Sequence, residues 1–364
     1  MNGPRRMIIL AEGRLGPVSS KTANGALAFM PEQVVAVIDS RLAGTTVGEV
    51  LGYGGGIPVV GDLAEGLRYA PDTLLIGIAP AGGRLPEAWR HYVTEALEAG
   101  LHVVSGLHSF LSDDPEFAAL ARSKGVTITD LRKVPERNKT VSRGSWRTRR
   151  ARAVLTVGSD CKIGKMTTLL AVHAEMKRRG LRTEFIATGQ TGILIAGTGV
   201  SVDAVIGDYI AGSVEREIDA ADAAGADLVL VEGQGALTHQ GYSSVTLGLM
   251  HGTMPDAMLL VHQPTRTHDD YGFPLPPLPE LIRLHETLVG FFRPTKVVGI
   301  GLTSIGLTDE ESREEARRIE AETGLPAIDA FRFGAAPLVE ALVEYLARAP
   351  RPSHEGPLRF PGSP

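Results

Sequence analysis

The run Gly158-Ser159-Asp160-Cys161-Lys162-Ile163-Gly164-Lys165 concentrates the residue types best able to do chemistry in this chain. Two glycines let a backbone turn sharply, so that successive N–H groups face one concavity. A helix starting at Lys165 adds unpaired N–H donors and a partial positive charge to the same spot, and the lysine adds a full charge. Together they suit a phosphate or diphosphate. The run departs from the usual phosphate loop in two ways. Five residues separate the glycines where four are usual, and Met166 stands where a magnesium-binding Ser or Thr follows the lysine. The hydroxyls come one and two places later, at Thr167 and Thr168, and Thr167 lies about 100° round the helix from the usual hydroxyl. Phosphate binding by residues 158–168 is therefore expected, and the pattern points less strongly to hydrolysis of a magnesium nucleotide. The plainer alternative is a glycine-rich turn with Ser159 as a helix cap.

A second chemical run is Asp227-Leu-Val-Leu-Val-Glu232-Gly233-Gln234-Gly235. Four apolar residues deliver a carboxylate to the end of a buried strand, and the glycines open space beside it. An acid at this position holds magnesium in phosphate-loop proteins, or it accepts a proton from an attacking amine. A strand-end acid satisfied by its neighbours is the structural alternative. Phe185-Ile-Ala-Thr188 leads into Gly189-Gln190-Thr191-Gly192, a polar loop at a strand's C-terminal end, where open α/β sheets bind ligands. Of His239, His251, His262 and His268, His262 is best placed, directly after the strand Ala257–Val261. None has zinc spacing, and one cysteine, Cys161, precludes both a cysteine-based metal cluster and an intramolecular disulfide.

Two α/β domains must position these groups. Residues 1–138 alternate apolar runs with helices. Met7–Ala11, Val34–Asp39, Ile57–Val60, Leu74–Ile78, Leu101–Val104 and Val126–Thr129 read as strands of a parallel sheet covered on both faces. Arg84 to Ala99 reads as a helix closed by Gly100. The domain looks Rossmann-like. Asp39 ends its second strand where a ribose-binding acid would sit, but no G-x-G-x-x-G precedes it, so Asp39 reads equally as a turn cap. Lys21, Thr22 and Asn24 could line a small-molecule cleft. Residues 139–152 read as a basic linker, part of an arginine- and lysine-rich stretch from Arg132 with one acid, Glu136. It is expected to be solvated and to guide anions as a side effect. Residues 153–350 form a phosphate-loop, three-layer α/β/α domain. Within it, 202–208 reads as a short extended piece, and 264–279 as a proline-rich lid or substrate-orienting loop. Residues 351–364 are a proline-rich tail, expected to be disordered.

Composition narrows the function. The 364 residues are 43% hydrophobic and 22% charged, as in ordinary globular proteins, with a net charge of −5. That charge argues against general nucleic-acid or membrane-surface binding. No apolar run approaches a membrane span and no signal-peptide core opens the chain, so a cytoplasmic location is expected. Symmetric assembly is common for enzymes of this size, and a homo-oligomer is expected.

The loop at Gly158–Lys165 and the run Val231-Glu232-Gly233 resemble dethiobiotin synthetase. A fuller likeness, over nearly the whole chain, is to a bacterial two-domain family described as D-glutamate N-acetyltransferase-like. It is carried by Lys21-Thr22-Ala23, Val35–Ser40, Gly164–Thr168, Thr188–Gly192 and Leu230–Gly235. The resemblance implies transfer of an acetyl group from acetyl-CoA to the amine of a D-amino acid such as D-glutamate. Residues 158–168 would hold the phosphates of the cofactor. Glu232 or His262 would take the amine's proton. Gln190, Thr191, Gly192 and Gly233 would line the amino-acid site, and Arg266 would clamp the carboxylate. Two alternatives stand beside this. One is an ATP-dependent ligase or kinase with magnesium on Glu232, as the synthetase likeness suggests. The other is a nucleotide-binding regulator without turnover.

Overall fold

A computed structural model describes residues 5–350 apart from 18 and 81. The tail at 351–364 lies outside the described residues. The chain divides into two compact units, one of residues 1–133 with 190–197, the other of 134–189 with 198–364.

In the first unit the chain runs β1 (Met7–Leu10), α1 (Lys21–Phe29), β2 (Val34–Ile38), α2 (Val47–Leu51), β3 (Val59–Val60), α3 (Leu63–Gly66), β4 (Thr73–Ile76), α4 (Arg90–Glu98), β5 (His102–Ser105), α5 (Pro115–Lys124) and β6 (Ile128–Asp130). The strands form one sheet in the order β3-β2-β1-β4-β5-β6, every pairing parallel. That is the Rossmann order, with its reversal between β1 and β4. Both faces are covered, which is why the strands read as unbroken apolar runs. Along β1, Ile8 and Leu10 enter one core and Met7 and Ile9 the other. The expected helix from Arg84 is shorter than its pattern. Pro86 is extended (φ −57°, ψ 137°), and a 3₁₀ turn at Glu87–Trp89 precedes α4. The residue before a proline resists the helical region, so Leu85 cannot continue a helix into Pro86.

Asp39 is fully buried, and its carboxylate ties down the loop after β1. It accepts from Leu15 N at 3.0 Å and Arg41 N at 3.1 Å. The position where a ribose acid would stand is thus used as a turn cap.

The second unit holds β7 (Arg152–Gly158), α6 (Lys165–Arg178), β8 (Thr183–Ile186), α8 (Ile210–Ala223), β9 (Leu228–Val231), α9 (Ser243–Thr253), β10 (Ala257–His262), α10 (Leu278–Gly290), β11 (Lys296–Leu302), α11 (Asp309–Thr323), β12 (Ala327–Ile328), α12 (Ala330–Phe333) and α13 (Ala336–Arg348). Its sheet is also parallel throughout, in the order β12-β11-β10-β7-β9-β8. β7 lies between β10 and β9, so the loop after β7 opens at the middle of the sheet. The stretch at 202–208 is not extended. It forms two 3₁₀ turns, Val202–Ala204 and Gly207–Tyr209.

Between them in sequence lies α7 (Gln190–Ala196), a helix where a polar loop was expected. It packs on α1 and puts Leu194 into the core of the first unit. The apolar run Ile193-Leu-Ile-Ala196 drives this, because it must be buried somewhere. The excursion is closed at its base within the second unit, where Val200 N donates to Ala187 O and Val202 N to Thr188 O, both at 3.0 Å.

The basic stretch is not a solvated linker. Residues from Val134 onward belong to the second unit and lie along an acidic stripe of α8. Glu215 accepts from Arg143 N and Ser145 N, Asp219 from Ser145 Oγ, and Asp222 from Ala151 N. Arg152 pairs with buried Asp256 at 2.7 Å, and Arg149 is itself buried. Acids four and three residues apart on one helix face thus take backbone and serine donors from a distant part of the chain. Among the described residues no helix is long and apolar enough to cross a membrane.

Candidate phosphate-loop site

The loop after β7 is built by close approach. A Cβ on Gly158 would lie 2.8 Å from Lys165 Nζ and 3.0 Å from Asp160 O. Gly164 takes φ +88° as the N-cap of α6, and a side chain there would collide with Thr303 Oγ1. The backbone therefore requires glycine at 164, while at 158 a side chain would press on the lysine end and on Asp160 O. No side chain caps the start of α6. Lys165 is 6% exposed and turned inward, donating to Asp160 O at 2.7 Å. The ammonium, the loop and the helix start converge as an anion cradle requires. Met166 and Thr167 are half-buried, while Thr168 is buried against Gly301 of β11. The helix presents no hydroxyl at the magnesium position.

Sheet order brings His262 to this loop. Val261 of β10 pairs with Gly158 of β7, so the next residues face each other. His262 Nδ1 and Ser159 Oγ are 2.8 Å apart, and Ser159 is buried. Burial holds the His262 imidazolium down to about 4, so the ring is neutral at pH 7. Burial pushes the Cys161 thiol up to about 11, which keeps it protonated and unreactive.

Arg266 braces the loop. Its Nε lies 2.6 Å from Asp160 Oδ2, off the line of the N–H bond, so the contact is an ion pair more than an aligned hydrogen bond. Its Nη2 pairs with Asp270, which also takes Lys162 Nζ at 3.1 Å. Asp160 has no exposed surface, and its Oδ1 accepts from Cys161 N at 2.6 Å. The guanidinium expected to clamp a substrate carboxylate thus has a carboxylate of its own chain. The cause is a buried acid two residues into the loop, which needs a cation.

Glu232 directly follows β9 and is 3% exposed. Its Oε2 accepts from Thr188 N at 2.9 Å and Gly189 N at 3.2 Å, and Oε1 faces Gln234 Nε2 at 3.1 Å. The carboxylate is held in a fixed orientation by two strand ends. A metal on Glu232 would compete with these donors. Gly233 N donates to Thr156 Oγ1 at 2.9 Å, and a Cβ on Gly233 would strike Thr156 O and lie 3.1 Å from Lys165 Cδ. The acidic strand end therefore stands beside the lysine. Gln190, Thr191 and Gly192 directly follow Gly189, whose N–H is bonded to Glu232. They open α7 and are buried in the first unit.

Sequence reasoning gave His239 no role. The structure places one of its ring nitrogens, a carboxylate oxygen of Asp160 and the Cys161 sulfur within 4.8 Å of one another. They do not form a ready metal cage. Both Asp160 oxygens are engaged, and His239 Nδ1 accepts from Gly241 N at 3.1 Å, which leaves the ring proton on Nε2. No motif spacing links residues 160 and 239, so only the fold could reveal this cluster.

The parallel sheet, the loop after its central strand and the lysine at the helix start define the second unit as a P-loop domain, beside a Rossmann-like one. Family models match both: a Rossmann-like domain of unknown function, DUF1611_N, over residues 40–134, and a P-loop domain of unknown function, DUF1611_C, over residues 140–339. The chain belongs to the DUF1611 family. It is 43% identical over 284 residues to a D-glutamate N-acetyltransferase of Tritonibacter scottomollicae, covering 77% of this chain and 84% of that protein. It is 34% identical over 283 residues to a protein of the same name from a Pseudoalteromonas species, with the same coverage. A crystal structure of a DUF1611 protein from Anabaena variabilis superposes with a TM-score of 0.89 at 40% identity, over 93% of this chain and 99% of that one.

Proposed function

We propose that this protein is an N-acetyltransferase that moves the acetyl group of acetyl-CoA to the amine of D-glutamate or a similar D-amino acid. The observation that carries the reading is the loop at Gly158–Lys165. Its lysine points inward, its helix start is uncapped, and its magnesium hydroxyl is replaced by Met166. Such a cradle fits a diphosphate that is held and not hydrolysed, as in coenzyme A. The names of the two bacterial relatives support acetyl transfer to a D-glutamate amine.

In this reading Lys165 and the start of α6 hold the cofactor's diphosphate. The amine nitrogen forms a bond to the thioester carbonyl carbon, the C–S bond breaks, and the thiol leaves. Glu232 takes the proton the amine loses. Its hydrogen bonds from Thr188 N and Gly189 N fix the carboxylate's direction. His262, neutral and bonded to Ser159, positions the loop's first turn.

The experiment is incubation with D-glutamate and either acetyl-CoA or magnesium ATP, following free thiol and ADP. The reading predicts thiol release that requires the amino acid. ADP formation without thiol assigns a ligase or kinase instead, and binding without either product assigns a regulator.

A further inference from the structure

We infer that the first unit holds its own small-carboxylate site, at the start of α1 beneath α7. In a sheet of this order the crevice for ligands lies where the strand order reverses, here between β1 and β4. α1 follows β1 and begins at that crevice. It has nine residues and no side-chain cap; Ala23 N is already given to Gly77 O at 2.9 Å, and the positive dipole end of the helix remains to favour an anion.

Polar groups buried at the same place lack partners. Thr22, in the first turn of α1, has no exposed surface, and its hydroxyl has no hydrogen-bond partner. Thr191, on the helix packed against α1, is 2% exposed with its hydroxyl in the same state. Its neighbour Gln190 is 3% exposed and reaches over the turn after β5. A Cβ on Gly106 would lie 2.7 Å from Gln190 Cγ and 3.8 Å from Thr22 Oγ1. Behind that turn Arg132, itself buried, donates Nε–H to Gly106 O at 2.7 Å and adds a positive charge. Leaving buried hydroxyls unpaired costs stability, so each such group needs an explanation. Two hydroxyl donors, a helix start and a nearby guanidinium match the two acceptor oxygens of a carboxylate.

This deepens the proposed function and rests on it only for the choice of ligand: the acceptor proposed there is a small carboxylate, the class of anion that these donors suit. The test is isothermal titration of the full chain with D-glutamate, glutarate and inorganic phosphate, for wild type, Thr22→Val and Thr191→Val. The variants remove an unpaired hydroxyl at nearly constant volume, so their melting temperatures should hold or rise. The expected result is that D-glutamate and glutarate bind the wild type, that each variant binds them at least tenfold more weakly, and that coenzyme A binding is unchanged. Affinity unchanged in the variants, binding of phosphate alone, or no binding to the wild type overturns the inference. A fall in melting temperature without loss of affinity also overturns it, because it assigns the hydroxyls a structural role. If D-glutamate binds through Thr22 but no thiol is released, the site stands and the acetyltransfer reading falls. If thiol is released equally by the variants, the reverse holds.

Discussion

Arg266→Ala separates a brace for the phosphate loop from a clamp for substrate. The change removes the cation beside Asp160, whose carboxylate has no exposed surface. Breaking a buried pair by removing one partner costs about 3–5 kcal/mol, because the remaining charge is left unpaired. The arginine side chain is 20% exposed, so the lower end applies, about 3 kcal/mol. Its contact with the more exposed Asp270 adds less than about 1 kcal/mol. For a unit of this size each kcal/mol moves the melting temperature by about 2–4 °C, giving a fall of about 6–12 °C. Thermal unfolding followed by circular dichroism reads it directly. A double variant, Arg266→Ala with Asp160→Asn, should recover part of the loss, because the stranded charge goes with its partner. A melting temperature within 2 °C of wild type, together with a tenfold rise in KM for the amino acid, would refute the brace and restore the clamp.

Other expectations follow from the same geometry. Gly233→Ala should yield little folded protein, because the new Cβ meets the backbone oxygen of Thr156, whereas Gly180→Ala, at φ +79° in open space, should cost only about 1 kcal/mol by chemical denaturation. Stability should fall on acidification from pH 6.5 toward 4. Burial holds His262 and His285 at about 4, well below the unfolded value, so the unfolded chain takes up protons that the folded rings refuse. Each contributes a slope of roughly 1.4 kcal/mol per pH unit inside that window and none above pH 7. His173, less buried, adds a smaller loss of the same sign. A melting temperature constant from pH 7.5 to 5 would contradict this. Cys161 should resist thiol reagents at pH 8 in the folded protein and react at once in denaturant, since burial raises its thiol to about 11. Rapid labelling of the native protein would show that the loop opens.

The phosphate loop was legible because its signal is local. Glycines, lysine and helix start lie within eleven residues and need no tertiary information. The parallel sheets were legible too, since strands buried on both faces read as unbroken apolar runs. The facing of Ser159 and His262 was half legible. His262 drew notice by following a strand, but nothing in the sequence says that β10 pairs with β7. The pairing of Arg266 was not legible, because Asp160 lies over a hundred residues away and a guanidinium in a polar loop looks free in sequence. The packing of the basic stretch was not legible for the same reason, as the acids that accept its backbone and serine donors lie on α8. Hardest was α7. Gln190-Thr191-Gly192 sits after a strand and before an apolar run, and nothing local decides which core that run enters.

The central claim is that the hollow at Gly158–Lys165 holds a diphosphate without a metal, and the most direct measurement is calorimetric titration of coenzyme A. The account predicts binding to wild type that is unchanged by magnesium or by a chelator, and at least tenfold weaker binding to Lys165→Ala, whose lost contact is charge-assisted. Equal affinity in the variant, or binding that appears only with magnesium, would contradict it.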